Sequence, residues 1–221
     1  MLPLILNLAR VPCLLVGCGK VGRRRLDTLL EAGASVRVVC PDPAPWVELP
    51  QGVTWIREEF AGRHMEGVRL VVAAATPDVN AHVALEASRR GILVNRTDDA
   101  QASDFHFPAV LRRGSVMVGI STGGVAPTLS KSLRDQLAVE WDESVSAWAE
   151  LLAELRHKVR DQLQLEQAAS LLAEWSQWSW LERLRNEGRA SVENAMLMDF
   201  RVRAAQGART EAHGVRADDH S

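Results

Sequence analysis

The spacing of apolar residues changes character near Pro127. Before it, short unbroken apolar runs alternate with stretches in which apolar positions recur every three or four residues. The runs are CLLV (13–16), SVRVVC (35–40), VTWI (53–56), RLVVAAA (69–75), ILVN (92–95) and SVMVGIS (115–121). Strands covered on both faces need continuous Val, Leu and Ile, and helical crossovers between them predict a parallel sheet. The first helix carries Val21, Leu26, Leu29 and Leu30 on one stripe and stops at Gly33. The second starts where Thr76 can cap and Pro77 can take the first helical position, and runs to Gly91. Beyond Pro127 the pattern is helical and free of proline, which predicts about three helices. From about Arg201 the periodicity fades, and 201–221 is expected to be a mobile tail. No internal repeat is visible.

Turn-forming residues follow the same division. All nine prolines fall at or before Pro127 and twelve of the fifteen glycines at or before Gly124, so the two halves are built by different rules. Five tryptophans of the helical half, Trp141, Trp148, Trp175, Trp178 and Trp180, are read as packing area. With 221 residues and 47% hydrophobic content the chain can bury a full core. Its formal net charge of −2 provides no global attraction to nucleic acid or anionic membrane, so an acidic ligand needs a local basic patch. The opening segment MLPLILNLARVP lacks a basic region and a cleavage site, and no stretch approaches the roughly 18 apolar residues that span a bilayer. Cys13, Cys18 and Cys40 are odd in number and lack CxxC spacing, which argues against a disulfide framework or a structural zinc site and favours a reducing cytoplasm.

Gly17, Gly19 and Gly22 form a GxGxxG directly after a strand and before an amphipathic helix. In that context the first glycine allows the tight turn, the second lets a pyrophosphate approach the backbone, and the third allows close helix packing. Lys20 and Val21, between the second and third glycines, join them as cofactor-binding positions. Asp42 lies twenty residues beyond Gly22, after the second strand, where a carboxylate can accept hydrogen bonds from an adenosine ribose. An acid there repels the extra phosphate of NADP, which makes NAD the expected cofactor, although Arg23–Arg25 pull the other way. Ala74, Thr76 and Asn95, at or near strand carboxyl ends, should line the crevice; Thr76 can equally serve only as a cap.

The segment VNRTDDAQASDFHFPAVLRRGSVMVGISTGGVAPTLSKSLR (94–134) places Asp98, Asp99 and Asp104 just past a strand, followed by an expected aromatic strand and a second glycine turn, STGG. These blocks, taken with LLVGCGKVGRRRLDTLLEAGASVRVVCPD and VVAAATPDVN, resemble the precorrin-2 dehydrogenase and sirohydrochlorin ferrochelatase family of siroheme-forming enzymes. The resemblance runs from about Leu4 to about Leu137. It implies an N-terminal Rossmann domain with a doubly wound parallel sheet (1–112), a small α+β dimerisation region (113–145), an α-helical C-terminal part (146–200), and a homodimer with its site between domains. It further implies NAD-dependent oxidation of precorrin-2 to sirohydrochlorin, with ferrous iron as a second substrate in some members. The family's important acid falls on Asp98, with Asp99 as the near alternative. Arg96–Thr97 stand where relatives often carry two apolar residues, and Ser103 where cysteine is common.

Removing a hydride and a proton from the macrocycle needs a hydride acceptor and a nearby base, a role an aspartate can fill. The eight carboxylates of the implied substrate call for cationic and hydrogen-bonding partners. Arg96, His106 and Lys131, with Asp104 and the STGG residues Ser121, Thr122 and Gly123, are the candidates, and Arg112, Arg113 and Arg134 stand nearby in sequence. Each also has a plainer reading. Asp98 and Asp99 suit a turn, His106 between two Phe suits packing, the cations suit a solvated surface, and STGG suits a connection. No tetrahedral metal cluster is visible. A nucleotide-sensing module would retain the glycines and Asp42 but would not need TDDAQASDFHF or STGGVAPTL, and a dehydrogenase for another small substrate is the third reading.

Overall fold

The computed structural model describes residues 1–41 and 50–214, with side chains described as far as residue 206. Within residues 1–107 the apolar runs become five parallel strands, β1 (Pro12–Val16), β2 (Ser35–Val39), β3 (Val53–Ile56), β4 (Leu70–Ala73) and β5 (Leu93–Arg96), in the order β3-β2-β1-β4-β5. Every residue of β4 is buried, as its unbroken apolar composition requires. Helix α1 (Lys20–Glu31) turns Leu26 and Leu29 against Cys13, Leu15, Val36 and Val38. Helix α2 (Pro77–Arg90) presses Val83 and Ala87 onto the other layer, among Leu14, Val16, Val71 and Val94. The helix ends follow the sequence signals: Gly33 (φ 78°) follows α1 and Gly91 (φ 64°) closes α2, both in the left-handed region open to glycine.

The second compact unit comprises residues 108–122 and 126–221, while 123–125 group with the first. It contains the antiparallel pair β6 (Ala109–Arg113) and β7 (Val116–Ile120), then α3 (Pro127–Glu140), α4 (Ser144–Gln162), α5 (Leu165–Trp175), α6 (Trp178–Glu187) and α7 (Arg189–Gly214). Its core gathers Leu151, Leu155, Leu171, Trp175, Leu181 and Met196, with Trp141, Trp148 and Trp180 packed against it. Trp175 donates its indole N–H to Asp199 at 3.1 Å, so this tryptophan fills the core and satisfies its polar atom there.

Several expectations are corrected. The helical half has five helices instead of three, because short breaks at Asp142, Gln164, Gln177 and Gly188 interrupt the periodicity without proline. The expected aromatic strand at 105–107 does not form: strand β6 starts at Ala109, and Phe105 and Phe107 instead pack on the β1–β2 layer. The hairpin, α3 and the later helices group as one compact unit that starts at Pro108. The backbone beyond Arg201 continues as α7 to Gly214, and the rest of the expected tail lies outside the described residues. Cys18 and Cys40 are joined by a disulfide, against the expectation of none, because parallel pairing of β1 with β2 brings together residues 22 apart in sequence.

Candidate functional site

The sheet registers place four strand exits side by side. Val16 pairs with Val39 and with Ala73, and Ala73 pairs with Arg96, so the chain leaves β1, β2, β4 and β5 at one level. The strand order reverses between β1 and β4, and a crevice over such a switch point is where doubly wound sheets bind ligands. The glycine turn follows β1 and the AAATPD segment follows β4, on the two sides of that point.

Each glycine of the turn has a distinct steric role. Gly17 sits at φ 104° with the Ala74 carbonyl where a Cβ would be, so both its conformation and its packing exclude a side chain. A Cβ on Gly22 would press on the Gly17 carbonyl, which keeps α1 tight under the turn. Gly19 has open space where its Cβ would stand, and it is the N-cap of α1 without any side-chain cap or first-turn acid. The helix N-terminus with Lys20 and Val21 in its first turn is thus left to an external anion, and the backbone at Gly19 is open to approach. These features fit a dinucleotide pyrophosphate. Asp42, the expected ribose acceptor, lies outside the described residues.

A buried asparagine that sequence reasoning missed connects this cradle to the acidic segment. Asn80 on α2 is 0% exposed; its Oδ1 accepts from Ala75 N at 2.9 Å, and its Nδ2 donates to Ala75 O at 3.3 Å and to Asp98 Oδ1 at 2.8 Å. Gly17 packs on Ala74 and Ala75, Ala75 is clamped by Asn80, and Asn80 holds Asp98, so consecutive contacts link the glycine turn to the carboxylate. The only sequence signal was an Asn one turn into a capped helix, on the face that also carries Val83 and Ala87.

Arg96 closes the other side of Asp98, donating from Nη2 to Oδ2 at 2.7 Å, and its Nη1 lies 3.7 Å from Asp99 Oδ2. The hydrogen bond from Arg96, and then that from Asn80, hold the Asp98 carboxyl below the usual aspartate range. Asp98 in turn pushes the Arg96 guanidinium up. Asp99 is used differently: its Oδ1 accepts from the backbone of Gln101 and Ala102, as an Asx turn does. Ser103 fastens the loop, donating to Asp99 O at 2.8 Å and accepting from Arg96 N at 2.9 Å.

The other candidates are distributed among structural tasks. Asp104 accepts from Val94 N at 2.9 Å, so its carboxylate caps the edge of β5. Asn95 is buried, donates to Phe105 O at 2.8 Å and leaves its Oδ1 without a protein partner. His106 Nε2 lies 3.1 Å from Ala100 O, with its ring beside Gly124. Thr76 is at the N-cap of α2, is exposed and makes no side-chain cap bond. In the second unit, Thr122 Oγ1 accepts from Ala126 N and Ser130 Oγ, both at 3.1 Å, while Lys131 is exposed. Arg113 is held to Trp141 O and Ala138 O at 2.6 and 2.9 Å and serves its own unit. Gly123 is in the left-handed region at φ 66°, and Ser121 precedes it at the end of β7. Among the described residues no cluster of three or more His, Cys, Asp or Glu gathers to hold a metal, and no helix is long and apolar enough to cross a membrane.

A glycine turn at a sheet switch point, under an uncapped helix, defines a nucleotide-binding protein of the Rossmann class. Residues 4–109 match the family model described as "Putative NAD(P)-binding". The chain is related to siroheme synthases: it is 38% identical over 210 residues to that of Methylococcus capsulatus (strain Bath), covering 93% of this chain and 44% of the relative. With the siroheme synthase of Chromobacterium violaceum it shares 43% identity over 141 residues, 61% of this chain and 30% of that one. The chain thus spans less than half the length of the curated relatives it matches. A solved structure described as SirC, precorrin-2 dehydrogenase, has the same fold, with a TM-score of 0.74, 23% identity, and coverage of 91% of this chain and 99% of that one.

Proposed function

We propose that the chain is an NAD-dependent precorrin-2 dehydrogenase that yields sirohydrochlorin. The observation that carries this reading is the carboxylate of Asp98, fixed by Asn80 and Arg96 and linked by direct contacts to the glycine turn. Bound NAD supplies the hydride acceptor. Gly17, Gly19 and Gly22 form its pyrophosphate cradle with the N–H groups of Lys20 and Val21, while Ala74, Thr76 and Asn95 line the crevice and Asp42 reads the ribose.

As the substrate loses hydride it gains positive charge, and an ionised carboxylate at that point lowers the barrier before it accepts the released proton. Asp98 fits this role because its partners hold it ionised at neutral pH. Arg96 also has the fork geometry that suits a substrate carboxylate; when a propionate or acetate draws it away, one oxygen of Asp98 is exposed for the proton. His106, in the same unit as Asp98, is a further candidate for substrate contact, Asp99 shapes the loop that presents Asp98, and a homodimer is the working form. Insertion of ferrous iron, a substrate, would reuse Asp98 as acceptor of pyrrole protons.

The test is anaerobic incubation of the purified chain with precorrin-2, with and without NAD. The expected result is reduced nicotinamide equal to the sirohydrochlorin formed, and siroheme only after ferrous iron is added. Binding of NAD without turnover of precorrin-2 would overturn the enzymatic reading.

A further inference from the structure

Cys18 occupies the variable position between Gly17 and Gly19, and Cys40 is the first residue after β2. Their Cα atoms are 6.0 Å apart and their sulfurs are bonded. The disulfide therefore ties the pyrophosphate turn to the end of the strand that leads to Asp42. A dinucleotide must satisfy both segments at once, so the spacing the pair sets is a spacing the ligand reads. We propose that Cys18 and Cys40 are a reversible thiol–disulfide site within the dinucleotide cradle, whose oxidised state holds the turn ready for the ligand and whose reduced state loosens it. This rests on the cofactor reading above and is independent of the tetrapyrrole.

Three further observations support the site. The residues are 8% and 6% exposed, so the disulfide is buried beneath the turn it ties. In the tied state Gly17 N donates to Val39 O at 2.9 Å, while the backbone at Gly19 and the first turn of α1 remain open. Reduction replaces a covalent bond with a van der Waals contact between two thiols that need more room. Buried between the turn and β2, they find it only if one of those segments shifts. Cys13 is no competing partner: it is 1% exposed within β1, and burial pushes its thiol up to about 11.

The chemistry balances through exchange with the disulfide of a small thiol. The two cysteine thiols lose two electrons and two protons to form one S–S bond, and the oxidised small thiol takes them up as its own S–S bond breaks into two thiols. Access follows local opening of the turn.

The test uses the full chain equilibrated with oxidised or reduced glutathione, its state read by mass, with NAD affinity measured by calorimetry. The oxidised chain should be two hydrogens lighter and bind NAD about tenfold more tightly, within the range usual for coupled sites. By reciprocity, saturating NAD should make the pair harder to reduce by the same factor. Cys40→Ser should bind with the reduced chain's affinity whatever the glutathione state. Equal affinities in the two states, tighter binding by the reduced chain, or failure of the pair to oxidise would each overturn the proposal. Absence of NAD binding in both states would remove the cofactor reading itself.

Discussion

Asp98 and Asp99 are adjacent in sequence, yet their surroundings give them different tasks. The side chain of Asp98 receives Asn80 and Arg96, whereas that of Asp99 is absorbed by its own loop. Asp98→Asn, which retains the shape but not the charge, is therefore expected to lower precorrin-2 oxidation by roughly 10²-fold or more while NAD affinity stays within twofold of wild type. Steady-state rates and calorimetry check the two halves. Asn80→Ala would remove the side-chain hydrogen bonds to Ala75 N–H and to Asp98, a loss of about 0.5–1.5 kcal/mol per bond readable in urea midpoints. It would also let the Asp98 carboxyl titrate higher, which NMR of labelled aspartate would detect. The depressed pKa has a definite consequence for stability. A carboxylate held low in the folded state contributes stability above its unfolded pKa, near about 3.9, and loses that contribution as pH falls through the lower folded value. The stability gap between wild type and Asp98→Asn should thus be full at pH 6 and close in acid, as paired denaturation curves at stepped pH would record.

At the scale of the elements, the turn between β1 and α1 separates the needs of folding from those of binding. Gly17→Ala meets both a positive φ and the Ala74 carbonyl, and is expected to cost at least about 2 kcal/mol in the denaturation midpoint. Gly19→Ala meets open space at φ −72° and should cost no more than about 1 kcal/mol, yet its methyl would stand where a pyrophosphate must approach, so NAD affinity should fall steeply. If Gly19→Ala bound NAD normally, the cradle would lie elsewhere. The contrast also shows which parts of the fold the sequence could reveal. The strands and both helices of the first unit were legible because continuous apolar runs, a Thr-Pro start and glycine stops are local signals. The pairing of Cys18 with Cys40, the clasp of Asn80 on Asp98 and the spending of Asp104 on Val94 were not, because each depends on which strands are neighbours. Phe105 and Phe107 misled for a related reason: alternating aromatics read as a strand, but tertiary packing against the β1–β2 layer fixes them without pairing.

For the whole molecule, the change in hydrophobic rhythm at Pro127 announces two building styles, while the boundary between the compact units lies near Pro108. Hairpin β6–β7 belongs with the helices, because α3 and α4 cover it, and no local residue pattern states that affiliation. Each unit has its own core, one of strands against α1 and α2, the other of α4 to α7 around Trp175. Two such cores predict two calorimetric transitions, for which a single unfolding free energy is not defined. The dinucleotide elements all lie in the first unit, so NAD at 100 times its dissociation constant should add about 2.7 kcal/mol to that unit's transition. The second transition should remain where it was. The two are separable optically, since Trp141, Trp148, Trp175, Trp178 and Trp180 all report on the second unit, while among the described residues Trp55 reports on the first. Tryptophan fluorescence dominated by the helical unit should therefore melt at a temperature unchanged by NAD, while the calorimetric peak of the sheet unit moves upward. A single transition shifted as a whole would mean that the units unfold as one cooperative body, and would tie the helical unit energetically to the dinucleotide.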